Sequence, residues 1–408
     1  MKNLQNKIKS GEFTVGIVGQ GFVGETLAKA LIENSGITVY GYDINPARVL
    51  DLIKWVENTE YCNYFPTDKP YRLAECDVIL VCVPTKVDKH CYPDNKPIVQ
   101  AMHDIADNMK TDVLIIIESS VEPGTTREFE SQLRQLTDKR FCMGFSPERI
   151  NPGDGEYNIS NTVKIISSDN PDVVNIIASF YLHICNNLLR WYNTKEAELS
   201  KLIENCQRDV NIAFVNEMMK SMDEAGIDFT NVFELCRSKW NWLPFEPGLV
   251  GGDCIPNNAY YTGYYNANSI LHISRVINDL IPNFIVNKII KDIRSNSKLL
   301  VIGTGYKPGC NDEVNSTILY MLMDLRRFGV KTIVTNNISD ILHQEEKFDA
   351  VLFGYGADGW MYKTAHHEDI HKIFEVDGKI KYVYDLQGVV LPHSKLRQER
   401  NIQYWGLR

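Results

Sequence analysis

The chain has 408 residues, 44% hydrophobic and 23% charged, the balance of a soluble globular protein long enough for two or three domains. A formal net charge of −9 excludes any general electrostatic attraction to nucleic acid or to an anionic membrane, so an anionic ligand must be held by local donors. Ten cysteines are scattered singly, with no CxxC pair and no metal-like Cys/His spacing, and read as reduced thiols of a cytoplasmic protein without a metal site.

The first twelve residues are polar and lack the apolar segment of a secretory signal, and no apolar run approaches the roughly 20 residues needed to span a bilayer. Phe13–Val18 predicts a strand. It leads directly into Gly19-Gln20-Gly21-Phe22-Val23-Gly24, and Glu25–Ile32 then takes up helical periodicity. Thr38–Asp43 predicts the next strand and ends in an acid. GxGxxG alone is a weak signal, but between a strand and a helix, with an acid closing the following strand, it is the arrangement a dinucleotide site requires. The glycines let the backbone approach the pyrophosphate, the helix N-terminus favours its charge, and Asp43 accepts hydrogen bonds from the adenosine ribose. The acid favours NAD over NADP, although Arg48 lies near enough to meet a 2′-phosphate. Strand-like runs at Asp77–Val83, Val113–Ile117 and Val163–Ser167, with helical segments between them, predict a parallel doubly wound sheet.

Two turns follow predicted strands of that sheet, where ligands of open α/β sheets bind. Glu118-Ser119-Ser120-Val121-Glu122-Pro123-Gly124-Thr125-Thr126 offers hydroxyls that serve either a ligand or a helix cap. Ser146-Pro147-Glu148-Arg149-Ile150-Asn151-Pro152-Gly153 places Glu148 as a general base or as a simple turn acid. From Lys195 to Gly226 the pattern is helical, with Ala197, Leu202, Ile203, Cys206, Val210, Ile212, Phe214 and Met218 as its apolar positions. Lys201, Asn205 and Arg208 fall on one face of that helix, which is either solvated or turned toward a cleft. In a cleft, a lysine could stabilise a developing oxyanion, and Asn205 could bridge lysine and substrate.

Gly251-Gly252-Asp253-Cys254-Ile255-Pro256 is the most informative stretch. Adjacent glycines let a ligand approach the main chain closely, and a cysteine directly behind them is a candidate nucleophile. The competing reading is a buried structural thiol. A second long helix is expected from Ala267 past Pro282 to Ile293. A further α/β block then opens at Lys298–Gly303 and continues through Val330–Thr335, Ala350–Phe353 and Tyr382–Asp385. The expected architecture is two Rossmann-like α/β domains, over residues 1–193 and 295–408, joined by a helical domain over 194–294 that pairs two copies into a homodimer.

Taken together these segments resemble the UDP-glucose/GDP-mannose dehydrogenase family, the nucleotide-sugar 6-dehydrogenases. The resemblance runs in order through Gly19-x-Gly21-x-x-Gly24, Val83-Pro84-Thr85, Glu118-Ser119-Ser120 with Pro123-Gly124-Thr125-Thr126, and Ser146-Pro147-Glu148. It continues through Lys201-Leu202-Ile203-Glu204-Asn205, Asn211-Ile212-Ala213 with Val215-Asn216-Glu217, Gly251-Gly252-x-Cys254 and Tyr306-Lys307-Pro308. It implies a four-electron oxidation of a sugar C6 alcohol to a carboxylate by NAD, through a thiohemiacetal and then a thioester on Cys254. Lys201 matches the lysine that steadies the oxyanion and Asn205 its partner. Glu148 matches the glutamate that assists hydrolysis, Lys307 a substrate lysine, and the C-terminal block the nucleotide-diphosphate domain. By the same resemblance Phe22, Val23, Asp43, Arg48, Val83, Pro84, Thr85 and Ser120 line the NAD site with the three glycines. Arg149, Gly251 and Gly252 join Glu148, Lys201, Asn205, Cys254 and Lys307 at the UDP-sugar, and Ser120 and Asn258 join the catalytic set. Arg149 with Pro152-Gly153, Cys254-Ile255-Pro256, and Arg275-x-Ile277-Asn278-Asp279 with Pro282 are similar to the branch that oxidises UDP-N-acetylhexosamines.

The chain also departs from the family pattern. Asn258 stands where the family has an aspartate, and an amide holds a water but takes no proton from it. Ser120 replaces a threonine, Asp253 a histidine common in the hexosamine branch, and Val314 and Gln387 replace arginines. A carboxylate beside Cys254 disfavours its thiolate. The alternatives left open are a UDP-glucose 6-dehydrogenase, an enzyme that stalls at the acyl-enzyme, and a nucleotide-sugar binder without activity.

Overall fold

The computed structural model describes residues 2–150, 158–264, 266–308, 310, 312–336, 347–356, 380–388 and 402–407. Asn151, Pro152 and Gly153 of the turn after Glu148 lie outside them. The chain divides into two units, Met1–Glu204 with Tyr260–Tyr264, and Asn205–Ala259 with Tyr265–Arg408.

In the first unit the strands are β1 (Thr14–Val18), β2 (Thr38–Tyr42), β3 (Tyr64–Thr67), β4 (Val78–Val81), β7 (Val113–Ile117), β8 (Phe141–Phe145), β9 (Lys164–Ser167) and β10 (Leu188–Trp191). They form one sheet in the order β10-β9-β8-β7-β4-β1-β2-β3, and a separate two-stranded ribbon joins β5 (Lys86–Val87) to β6 (Pro93–Asp94). Neighbours in the large sheet are parallel except β8 and β9. The central strands are apolar on both faces, as a parallel sheet covered by helices demands. Val78, Leu80, Leu114 and Ile116 pack with α1 (Lys2–Ser10), α2 (Phe22–Ser35), α3 (Pro46–Glu57) and α6 (Pro171–Tyr181). Their neighbours Ile79, Val81, Val113, Ile115 and Ile117 pack on the other face with α4 (Lys96–Asn108) and α5 (Thr125–Leu136). The period of two along each strand assigns every side chain to one face.

The helix termini show how loops are fixed. Asn45 caps α3 by accepting from the Ala47 N–H at 3.1 Å, with Pro46 at the first helical position. The hydroxyls before α5 do not cap it: its N-cap is Gly124, at φ +111°. The fully buried Glu198 does so from the next long helix, accepting from the N–H groups of Gly124 and Thr126 at 2.5 and 2.7 Å and from the Thr126 hydroxyl at 2.6 Å. A carboxylate at a helix N-terminus satisfies orphan donors and complements the helix dipole.

That helix, α7 (Thr194–Glu224), falls within two residues of the predicted Lys195–Gly226, and only part of its apolar row is buried. Ala197, Leu202, Cys206, Ala213, Val215 and Met219 are buried, whereas Ile203, Phe214 and Met218 are exposed. The second unit adds α8 (Phe229–Arg237), α9 (Ile255–Tyr261), α10 (Ile270–Asp292) and α11 (Thr317–Arg327). Its sheet runs β12-β11-β13-β14-β15, all parallel, from β11 (Lys298–Thr304), β12 (Lys331–Thr335), β13 (Ala350–Tyr355), β14 (Tyr382–Asp385) and β15 (Gln403–Gly406). One core joins Val215 and Met219 of α7, Ile281, Ile285 and Ile289 of α10, and Leu299 and Val301 of β11. Among the described residues no helix is long and apolar enough to cross a membrane.

Replacing Glu198 by alanine strands the buried N–H and hydroxyl of Thr126 and the half-buried N–H of Gly124. The variant is expected to lose about 2 kcal/mol or more in urea unfolding, without change in its parallel-sheet circular dichroism.

Candidate active site

The glycine turn between β1 and α2 separates three kinds of demand. Gly19 sits at φ +90°, and a Cβ there would lie 2.6 Å from the Cys82 carbonyl oxygen. A Cβ on Gly24 would collide with the Gly19 carbonyl, so packing of helix on strand requires that glycine. Gly21 differs, because nothing lies within 4 Å of its missing Cβ. Protein packing does not explain it, whereas a ligand resting on the N-terminus of α2 does. Asp43 follows β2, and its carboxylate accepts from the Gln20 and Asn45 N–H groups, each at 2.8 Å, which holds it beside the turn. Arg48 pairs with Glu25 and donates to the Gln20 carbonyl at 2.6 Å, bracing the same loop. These residues fit a dinucleotide. Phe22 is exposed and Val23 packs on the core, while Val83 and Thr85 are half-buried and Pro84 exposed after β4. Ser119 donates to the Val83 carbonyl at 2.7 Å, tying the end of β7 to this loop, and Ser120 beside it is half-buried.

Glu148 is buried in the turn after β8. Its Oε1 accepts from the N–H groups of Arg149 and Ile150 at 2.6 and 2.5 Å. Arg149 is itself held by Glu204 at 2.8 Å and by the Val163 carbonyl at 2.9 Å. Lys201, on α7, is half-buried. Arg208, expected on the same face, is exposed, while Asn205 is buried.

In the second unit Cys254 is exposed at the end of the loop that precedes α9, and none of the ten cysteines is disulfide-bonded. The buried-thiol reading therefore fails for this residue. Both glycines before it are needed sterically. A Cβ on Gly251 would approach the Asn315 carbonyl at 2.7 Å, and one on Gly252, at φ +81°, would lie 2.8 Å from the nearest carbon of the Tyr306 ring. Asp253 accepts from the Asn315 amide at 2.5 Å. Asn258, on the first turn of α9, donates its N–H to the Cys254 carbonyl at 3.0 Å and accepts from the buried Asn205 amide. Asn205 and Asn258 are thus brought together, one turn from the cysteine. Lys307 is half-buried with its ammonium 5.6 Å from the Tyr306 ring centroid. Burial raises the Tyr306 hydroxyl above its ordinary range. Val314 is exposed, and Gln387 is buried, donating to the Gly354 carbonyl.

Sequence reasoning missed the anchor of the cysteine loop. Asn216 of α7 exchanges two hydrogen bonds with the Gly248 backbone, at 3.0 and 2.9 Å, and donates to Asn278 at 2.8 Å. Asn278 donates to Asp209 at 2.7 Å, and Asp209 pairs with the buried guanidinium of Arg275 at 2.6 Å. Arg275 and Asn278, which resemble a substrate-branch signature, serve here as framework. The signal available was a run of buried-capable polar residues at helical spacing on both α7 and α10.

Residues 13–185 match the NAD binding domain of the UDP-glucose/GDP-mannose dehydrogenase family, and residues 195–279 match its central domain. The chain belongs to this family. A nucleotide-sugar dehydrogenase of this family is an oxidoreductase whose cofactor is NAD, and the first α/β unit is its NAD-binding domain. The chain is 31% identical to a UDP-N-acetyl-D-glucosamine 6-dehydrogenase of Pseudomonas aeruginosa, over 92% of this chain and 97% of the relative. It is 30% identical to a UDP-N-acetyl-D-mannosamine dehydrogenase of Methanocaldococcus jannaschii, over 72% of each. The fold is shared with the UDP-D-ManNAc dehydrogenase of Pyrococcus horikoshii, at a TM-score of 0.82 and 24% identity over 97% of this chain and 99% of that one.

The second and third glycines of the dehydrogenase's turn give a discriminating test. Gly21→Ala is expected to melt like the parent yet bind NADH at least about tenfold more weakly by fluorescence titration, since its Cβ occupies ligand space. Gly24→Ala is expected to lose thermal stability in the absence of cofactor.

Proposed function

We propose that the chain oxidises the C6 alcohol of a UDP-N-acetylhexosamine, UDP-GlcNAc or UDP-ManNAc, to the uronate with two equivalents of NAD. The observation that carries the reading is an exposed Cys254 behind two sterically required glycines, in a chain whose relatives named for these substrates align over most of its length. NAD, held by the Gly19–Gly24 turn and Asp43, supplies the oxidising equivalents at both steps. After the first oxidation the Cys254 thiolate adds to the C6 aldehyde and a C–S bond forms. Lys201 and Asn205 stabilise the oxyanion of that adduct. Loss of the second C6 hydrogen leaves a thioester. Water then adds to the thioester carbonyl, the C–S bond breaks, the thiolate of Cys254 leaves, and Glu148 takes the proton of the water. Lys307 and Arg149 bind the sugar nucleotide.

The Asn205–Asn258 bond supports a second reading of the last step. An amide at 258 can hold the water through its remaining donors but removes one negative charge and one proton acceptor from the hydrolytic step. Slow hydrolysis, with the acyl-enzyme accumulating, follows if Glu148 does not compensate.

The assembly that fits is a cytoplasmic homodimer. On α10, Ile273, Val276 and Leu280 are exposed at successive turns, as are Phe214 and Met218 on α7, an apolar surface suited to a second copy.

Counting NADH per sugar consumed, with UDP-GlcNAc, UDP-ManNAc and UDP-glucose in turn, tests the activity. Two NADH with one of the N-acetylhexosamines is the expected result; none with any sugar overturns it. Cys254→Ala should reduce complete turnover by more than about a hundredfold. If hydrolysis limits the rate, a burst of NADH equal to the enzyme concentration precedes a slow phase. Asn258→Asp should then raise that slow phase by about tenfold or more.

A further inference from the structure

Lys164 lies on β9 inside the first unit and is 4% exposed, yet it carries an ammonium. Its Nζ is 2.6 Å from Glu118 Oε2, 3.2 Å from the Pro147 carbonyl and 3.7 Å from Glu148 Oε2. Glu118 directly follows β7, is itself buried, and accepts on its other oxygen from the hydroxyl of Tyr181 in α6. Glu148 has one oxygen held by two backbone N–H groups. The other is buried and accepts no hydrogen bond among the described residues, so the ammonium is the cation that faces it.

One cation therefore stands between two carboxylates in a medium of low polarity, where charge pairs act strongly. Burial lowers the proton affinity of Lys164, but the two carboxylates outweigh it and hold the ammonium charged. Burial raises Glu118. The Tyr181 hydroxyl and the Cys82 thiol, the other titratable groups packed on the cluster, are both pushed up by burial and stay protonated. The cluster is one negative charge in excess, so a carboxylate is the group that gains a proton first.

We propose that Lys164 is a positioning residue that sets the ionisation of Glu148, and that Glu118 tempers it by sharing the ammonium. This rests on the reading of Glu148 as the group that takes the proton of the hydrolytic water. A base must be ionised to accept that proton, and the Lys164 ammonium is the cation placed against the Glu148 oxygen that no hydrogen bond holds. The arrangement gives each partner an opposite sign. Removing the ammonium raises the pH at which Glu148 ionises. Removing the Glu118 charge leaves the whole ammonium to Glu148 and lowers it.

The test uses the intact protein carrying ¹³C-carboxyl glutamate, with the Glu148 resonance assigned by its loss in Glu148→Gln. Its titration is followed in the parent, Lys164→Met and Glu118→Gln, alongside the pH profile of kcat. Lys164→Met is expected to move the Glu148 titration and the acidic limb of kcat up by about one pH unit or more, and Glu118→Gln to move both down. Unmoved titrations in both variants, with only lowered melting temperatures, would overturn the proposal and leave Lys164 a structural ion pair. Should Lys164→Met fail to fold, Glu118→Gln decides alone through the direction of its shift. If the titrations move but Glu148→Gln still completes two oxidations at the parent rate, the ionisation coupling stands and the assignment of Glu148 to hydrolysis falls.

Discussion

The guanidinium of Arg275, 2% exposed in the second unit, anchors the hydrogen-bond network that holds the loop leading to Cys254. A buried cation is tolerated only when paired and fully hydrogen-bonded, and removing one partner of such a pair costs about 3–5 kcal/mol. Asp209 on α7 is the required counter-charge, and Asp279 on α10 completes it. Burial raises the Asp209 carboxyl while Arg275 and Asn278 draw it back. Once α7 and α10 are locked by this pair, Asn278 and Asn216 extend the network by amide hydrogen bonds to the Gly248 backbone. The loop that leads to Cys254 thus leaves a fixed point. Leu249 adds a second tether by donating to the Tyr355 hydroxyl at 3.1 Å.

The first unit uses the same device for another end. Lys164 and Glu118 bury opposite charges between β7 and β9, and the turn carrying Glu148 is held beside them by the Pro147 carbonyl. In both units the chemistry-bearing side chain sits on a loop, and a buried ion pair belongs to the network that tethers that loop. Loops carry function and scaffolds carry precision, and here the link between them is electrostatic as well as apolar.

Legibility in the sequence followed the range of the interaction. The Gly19–Gly24 turn with Asp43, and Gly251-Gly252 with Cys254, are local patterns whose meaning lies within a few residues. The long α7 and α10 were visible from their period. The pairings that place these motifs were not visible, because Asp209 and Arg275, or Glu118 and Lys164, are dozens of residues apart. Lys164 inside Val-Lys-Ile-Ile-Ser reads as a solvent-facing strand residue until the fold buries it. Periodicity marks Ile203, Phe214 and Met218 as apolar positions of α7, but not which of them the chain itself covers. Strand β3 escaped for a local reason, since it is an edge strand containing Pro66.

The openness around Gly21 has a consequence for descent. Selection for folding alone would preserve Gly19 and Gly24, since any side chain there meets backbone, but it is indifferent to Gly21. In a lineage that had given up its dinucleotide, that position would drift while its two neighbours stayed fixed. The retained glycine is therefore a mark of continuing use. It weighs against a chain that has survived only as a scaffold, and it does so at a residue that the substitutions near Cys254 leave untouched.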